Sequence, residues 1–312
     1  MSFASGNRSH YPEPCVNGTK PGLTVVLVSW NTEATITATL DTVPPAALDR
    51  TVETVVVDNG SSDGSVNMLR ARDVELIELD RNTGFTHAAN VGARAATHDL
   101  VLFLNPDVLL PAGSLDTLAG VLADNDHAWG VTPWFCNPDG SPQHFWRRLP
   151  TSTTLATDFT HRGRRIARML GGAPIRRHRY AEFAEPPGIV PIGTVGAACL
   201  LVRRAEFLAA GAFDERFFNF FQDTDYARRM QRLGRVLLGV GSVSVSHILG
   251  VTFRTLPPTE AHIRFLDDFA RYLEGEPSWR RLAGKLALGL ELAFRDESWT
   301  RAADLVRAGR VP

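Results

Sequence analysis

Cysteine is nearly missing from this chain. Its 312 residues hold three, Cys15, Cys136 and Cys199, widely separated. Without a C-x-x-C spacing there is no disulfide framework or zinc cluster to read, and the usage fits a reducing cytoplasm. Long apolar runs are missing too. The longest, Val195–Val202, stops at Arg203, far short of the roughly 18 residues that span a bilayer. The N-terminus has no apolar h-region, so no secretory signal is indicated. Residues 1–21, rich in Ser, Pro, Asn and Gly, read as a disordered leader. Lysine is confined to Lys20 and Lys285, so arginine carries nearly all the positive charge. A net charge of −1 argues against a nucleic-acid binder with a basic surface. No G-x-G-x-x-G follows the first apolar run and no G-x-x-x-x-G-K-[ST] occurs, so dinucleotide-Rossmann and P-loop readings have little support.

What is present is an alternation of apolar runs and helical patterns. Leu23–Ser29 is continuously apolar, as for a strand buried on both faces. Thr32–Thr42 reads as a helix stopped by Pro44-Pro45. Strands are expected at Val52–Val57, Val74–Leu79 and Leu100–Leu104, with helices near Gly64, over Gly84–Ala96 and over Pro111–Asp124. This βαβαβαβ order implies a doubly wound, mostly parallel α/β sheet. The second half is less regular. A strand is expected at 131–135, then an irregular stretch from Asn137 to Pro191, a strand over Gly193–Val202 and a short helix over Glu206–Ala210. A helix over Gln222–Leu233 and two strands, Arg235–Val240 and Val243–His247, follow. Amphipathic helices are expected from Thr259 onward.

Ligands of such sheets bind outside the carboxyl ends of the strands. The polar clusters fall there: Ser29-Trp30-Asn31, Asp58-Asn59-Gly60, Arg81-Asn82-Thr83-Gly84 and Asn105-Pro106-Asp107. The series VVLVSWN, VVVDNGSSDGS, RNTGFTHAANVG, LVLFLNPDV, GAACLLVRR, GAFDERFFNFFQDTDYARRM and His247 resembles the family 2 glycosyltransferases with the GT-A fold. Within them it looks most like the rhamnosyltransferase-like branch, over residues 22–254.

The resemblance implies a GT-A catalytic domain over 22–256, with a donor half (22–136), an acceptor half (137–256) and a C-terminal helical extension (257–312). It implies an inverting, metal-dependent transfer of rhamnose or a hexose from a dTDP- or UDP-sugar to an acceptor hydroxyl. The acceptor would be a cell-surface glycan, a lipid-linked precursor or a small natural product. Asp107 and His247 would bind Mn²⁺ or Mg²⁺, which suit hard oxygen ligands and tolerate imidazole to different degrees. Asp58 would bond the pyrimidine imide, with Ser29, Trp30 and Asn31 lining the base and ribose. Asn82, Gly84, Phe85, Asn90 and Asn105 would also face the donor. Asp223 would be the general base. Gly196, Ala197, Asp214, Glu215, Gln222 and Asp225 would lie on the acceptor side, with Asp225 free to pair with Arg228. Gln222 stands where the family's E-D-x-D has Glu, and Asn105 where many members have the first Asp of D-x-D.

Residues 147–179 hold nine arginines against one aspartate. That segment reads as a contact for an anionic acceptor, for an anionic membrane, or as a solvated loop; the second would make the protein peripheral at the inner face of the membrane. Ile166, Met169 and Leu170 within it form a short amphipathic pattern. The C-terminal helices could dock on the catalytic domain or pair two copies. Two rival classes are a sugar nucleotidyltransferase, whose basic Gly-rich loop is missing after the first strand, and a sugar-nucleotide-binding relative without turnover.

Overall fold

The computed structural model describes residues 20–169, 171–248 and 258–292. Most of the leader, Cys15, Leu170 and the boundary expected at 256/257 lie outside these residues.

The donor half is built as its pattern predicts. In chain order it contains β1 (Leu23–Ser29), α1 (Ile36–Ala46), β2 (Val52–Asp58), α2 (Ser65–Arg70), β3 (Glu75–Glu78), α3 (Phe85–Ala95), β4 (Leu100–Leu104), β5 (Val108–Leu109) and α4 (Ser114–Ala123). Every residue of β1 and β4 is buried, which is why neither run alternates. β1 runs parallel to β2 and β4, and β2 parallel to β3. The register puts Ser29 opposite Asp58 and Asp58 opposite Glu78, so the polar strand ends share one edge. One expectation fails locally: α1 includes Pro44 and Pro45. They fall in its last turn, where a proline removes a hydrogen bond but no longer has a helix to interrupt.

The second half closes the sheet in the opposite sense. It contains β6 (Ala128–Cys136), α5 (Ser152–Thr157), α6 (His161–Met169), α7 (Ala173–His178), β7 (Ile189–Ile192), β8 (Cys199–Arg203), α8 (Arg204–Ala209), α9 (Gln222–Arg232), β9 (Val236–His247), α10 (Pro258–Glu274) and α11 (Ser278–Leu292). The order is β3-β2-β1-β4-β8-β6-β9-β5, with β7 also on β9. β8 is antiparallel to β4 and pairs Cys199 with Leu104. The residues just before β8 therefore arrive at the same edge as the residues just after β4. The expected strand over 193–202 begins only at Cys199, and residues 193–198 are a loop. The two strands expected over 235–247 are one strand, with a register shift on β6 between Pro133 and Trp134. The stretch expected to be irregular contains three short helices.

A large apolar core fills both faces of the sheet. A second, smaller cluster joins Leu155 of α5, Phe217, Phe221 and the α10 residues Phe269, Tyr272 and Leu273. Core packing accounts for Phe217 and Phe221. This second cluster seats α10 directly behind the turn that opens α9, so the C-terminal helices pack against the rest of the described chain.

Candidate active site

The loops after β1 and β2 are laced together. Ser29 Oγ and Thr32 Oγ1 are 2.8 Å apart, Asn31 N–H donates to Ser61 Oγ, and Ser62 N–H donates to Asn31 Oδ1. Asn31 is left-handed (φ 53°), a conformation asparagine tolerates better than most residues. Asp58 is buried, and its carboxylate accepts from Ser61 N–H (2.8 Å) and Ser61 Oγ (2.6 Å). It shapes this turn, whatever else it binds. Trp30 is partly exposed at the strand end and stands outside the main core. No G-x-S-x-G hydrolase elbow is expected in this chain, yet Gly60–Gly64 spells that pattern. Among the described residues the hydroxyl of Ser62 bonds Asn31 Oδ1 and no histidine, so these residues form no nucleophilic triad there.

The third loop departs most from expectation. Asn82 Oδ1 accepts from Gly84 N–H and from Asn59 Nδ2, so its carbonyl oxygen serves the loop itself. Gly84 has φ +90°, and a Cβ there would lie 2.4 Å from Phe218 O. The close approach that requires glycine is thus to the acceptor half, where the sequence reading expects a phosphate or sugar. Phe85 packs against the core. Asn90, expected to face the donor, is buried and fully used. Its Nδ2 donates to Phe213 O (2.8 Å) and Glu215 Oε1 (3.0 Å), and its Oδ1 accepts from Phe213 N–H (3.1 Å). Glu215 also meets His87 and Arg94, and Asp214 pairs with Arg216. Both acceptor-side candidates are therefore engaged in ion pairs: Glu215 braces the α3 contact, and Asp214 holds Arg216 of its own loop.

At the end of β4, Asp107 is buried beside His247, with Oδ1 3.4 Å from Nε2. The sheet imposes this meeting, because β5 pairs Val108 with His247 and Ile248 N–H donates to Asp107 O. Gln143 sets the imidazole. Its Nε2 donates to His247 O (2.6 Å) and Asn137 Oδ1 (2.8 Å), so its Oε1, 3.0 Å from His247 Nδ1, must be the acceptor. Nδ1 then carries the hydrogen. With Nδ1 engaged by Gln143, Nε2 of His247 faces the Asp107 carboxylate, and an imidazole nitrogen beside a carboxylate oxygen is a pair that suits a shared divalent cation. Among the described residues no group of three or more His, Cys, Asp or Glu forms a complete metal cage. Further ligands would have to come from substrate oxygens or water. Asn105 N–H donates to Ala198 O.

That bond leads to Asp223. Ala197 N–H donates to Asp223 Oδ2 (3.2 Å), and Oδ1 accepts from Thr224 N–H and Thr224 Oγ1. The 196–198 loop therefore touches both the β4 end and the α9 start. Burial raises the Asp223 carboxyl above the ordinary carboxylate range, against the Thr224 and Ala197 hydrogen bonds and the nearby Arg147 charge that hold it down. Such a carboxylate is a stronger base than an exposed one. Gln222 is buried, with Oε1 lacking a hydrogen-bond partner. Asp225, expected on the acceptor side or paired with Arg228, is consumed by Arg228 and Arg229 (2.9 Å); Arg228 also reaches Glu276 (3.0 Å).

Asp268 of α10 escapes every motif. It has no solvent exposure and accepts from Phe218, Asn219 and Phe220 N–H, each at 2.9 Å. It thus fixes the turn that delivers Asp223. Burial raises its carboxyl to about 6, although the three N–H donors work in the opposite direction. The available signal was an acid on the apolar face of a helix, between Phe265, Phe269 and Tyr272.

The arginine-rich segment divides. Arg147 forms a two-bond bridge to Thr194 through its backbone, while burial and Arg179 lower the pKa of its side chain and Asp158 and Asp223 oppose that shift. Arg148 lies 4.1 Å over the Tyr180 ring, and Arg179 binds Asp158 (2.8 Å). His178, beneath them, is pushed down to about 4 by burial, so it is neutral. These groups are structural. Arg165, Arg168 and Arg177 are exposed.

Residues 24–176 match the family described as Glycosyl transferase family 2. The chain is 28% identical over 273 residues, 82% of its length and 86% of the relative's, to the N-acetylglucosaminyl-diphospho-decaprenol L-rhamnosyltransferase of Mycobacterium tuberculosis strain H37Rv. It is 22% identical to the low-salt glycan biosynthesis hexosyltransferase Agl10 of Haloferax volcanii, over 67% of this chain and 62% of that one. Among solved structures it resembles S. aureus TarS 1-349 in complex with UDP-GlcNAc (TM-score 0.54, 15% identity, 93% of this chain, 82% of that chain). It also resembles the mannosyltransferase PcManGT from Pyrobaculum calidifontis in complex with GDP-Man and Mn²⁺ (TM-score 0.52, 17% identity, 96% and 83%). The chain is accordingly a glycosyltransferase of the GT-A fold, with a family 2 domain over residues 24–176.

Proposed function

We propose that this enzyme transfers a rhamnosyl or related hexosyl group from a dTDP- or UDP-sugar to a hydroxyl of a lipid-diphosphate-linked sugar, with inversion. The observation that carries the mechanism is the 196–198 loop. It hydrogen-bonds the β4 end beside Asp107 and, one residue away, the Asp223 carboxylate. A donor held at the strand ends would then present its anomeric carbon toward a buried base. The acceptor class is supported by the mycobacterial relative, whose name specifies a diphospho-decaprenol-linked N-acetylglucosamine.

Asp223 would take the proton from the attacking hydroxyl, and its raised pKa suits that task. Asp107 and His247 would hold Mn²⁺ or Mg²⁺, which when bound neutralises charge on the diphosphate leaving group. The two bonds of Gln143 keep the Nε2 lone pair of His247 available. Asp58 and the Asn31–Ser62 lacing would form the nucleotide floor.

The test is transfer from dTDP-rhamnose and from UDP-sugars to a short-chain N-acetylglucosaminyl diphosphoprenol, with Mn²⁺ or Mg²⁺, followed as nucleoside diphosphate release. Ligand-linked thermal stabilisation by one nucleotide class identifies the donor. The reading fails if no pyrimidine nucleotide stabilises the protein, or if Asp223→Asn turns over at the wild-type rate.

A further inference from the structure

Two helices that play no part in the site share an unusual surface. α6 seats on α5 through small residues: a Cβ on Gly163 would lie 2.3 Å from Ala156 O, and Ala167, one turn later, is buried. That seating turns Arg165, Ile166, Arg168 and Met169 outward, and all four are exposed. α11 packs on α5, α6 and α10. Its Gly284 sits against Leu273, and Ala287 is buried. Trp279, Leu282, Lys285 and Leu286 project from its other side. The large apolar side chains on these two outward faces are 47% to 79% exposed.

Sign is the second observation. Residues 161–179 and 277–290 contain no acidic residue. Arg165, Arg168, Arg177 and Lys285 make no ion pair among the described residues. Arg280 lies 5.1 Å from the Trp279 ring and is paired with Glu276 (3.5 Å), so it does not count among these unpaired cations. Exposed Leu, Ile, Met and Trp interleaved with unopposed cations are the composition of an interfacial helix, whose apolar side chains enter the acyl boundary while its cations meet lipid phosphates. A symmetric dimer through the same patch would bring like charges face to face.

We propose that α6 and the outward side of α11 form a docking surface for an anionic phospholipid bilayer. The small core of Leu155, Phe217, Phe221 and Phe269 links this surface to the turn before Asp223. Docking would thus set the acceptor half against the membrane. The proposal does not depend on the donor or acceptor proposed above, because it is read without turnover.

The full chain is co-sedimented with vesicles of phosphatidylcholine alone and with vesicles containing phosphatidylglycerol, at low and high salt. Binding is expected only to the anionic vesicles, and salt should weaken it. Arg165→Ser with Arg168→Ser should reduce partitioning about 30-fold, on the usual contribution of one cation near an anionic surface. The charge-preserving Arg165→Lys with Arg168→Lys should retain binding, and Leu282→Asn with Leu286→Asn should weaken it. Unchanged unfolding temperatures of these surface variants exclude misfolding. Equal or absent binding to both vesicle types overturns the proposal. So does a dimer in light scattering that Leu282→Asn with Leu286→Asn dissolves.

Discussion

Asp268→Ala tests whether a residue outside every motif governs the turn that carries Asp223. The change removes the acceptor of three backbone N–H groups, those of Phe218, Asn219 and Phe220. At about 2 kcal/mol for each buried donor left unpaired, the gross loss is about 6 kcal/mol. It also removes a charge that is unfavourable to bury. The Asp268 carboxyl lies at about 6, against 3.8 for a free one, so ionising it in the fold costs about 3 kcal/mol above pH 6. The net destabilisation at pH 8 is then about 3 kcal/mol, a fall in unfolding temperature of about 6 °C for a chain of this size. The sign of the pH dependence follows. The folded protein holds this proton more tightly than the unfolded chain does. The wild type therefore loses stability as pH rises from the free value toward 6, and Asp268→Ala does not. The gap between them should be wider near pH 4 than at pH 8. Calorimetry at both pH values measures this, and kcat at saturating substrates should fall because the Asp223 turn is released. If Asp268→Ala unfolds at the wild-type temperature and keeps its kcat, the clamp has no such role.

Three further outcomes are expected. Asp223→Asn should abolish transfer while leaving donor-induced thermal stabilisation intact. Because the native pKa of Asp223 is raised, its ionisation opposes folding above that pKa, so the variant should unfold at a higher temperature than wild type at pH 8 and lose that advantage in acid. Gly84→Ala combines φ +90° with a Cβ 2.4 Å from Phe218 O and should cost about 2–4 kcal/mol in urea unfolding; a change below a few tenths refutes the contact. Gln143→Leu removes the acceptor that fixes the His247 tautomer and should weaken Mn²⁺-dependent donor binding by about 10–100-fold in titration calorimetry, whereas an unchanged affinity would remove Gln143 from the metal reading.

The first half was legible because β1 and β4 are uninterrupted apolar runs and each of β1 to β4 ends at a polar cluster, which parallel register then lines up. β8 shows the limit of that reasoning. Cys199–Arg203 is as apolar as β4, and a short apolar run carries no mark of its direction. The helices α5, α6 and α7 have six to nine residues, too short for propensity to hold them. They depend on packing that only the folded chain supplies. At the site, Asp107, His247 and Asp223 stood out by their place in the series. Asn90 did not reveal its task, since its partner Phe213 is 123 residues away. Gln143 left no trace in sequence, because its contact with His247 spans 104 residues.

The Asp268 clamp also changes what counts as the exchangeable unit of this enzyme. A chimera that swaps acceptor halves at residue 256 would inherit a foreign base-bearing turn and keep the native α10, or the reverse. The three N–H groups and their carboxylate would then come from different parents. Recombination that preserves turnover should carry residues 213–276 as one cassette, so the segment that looks like a tail descends with the Asp223 turn.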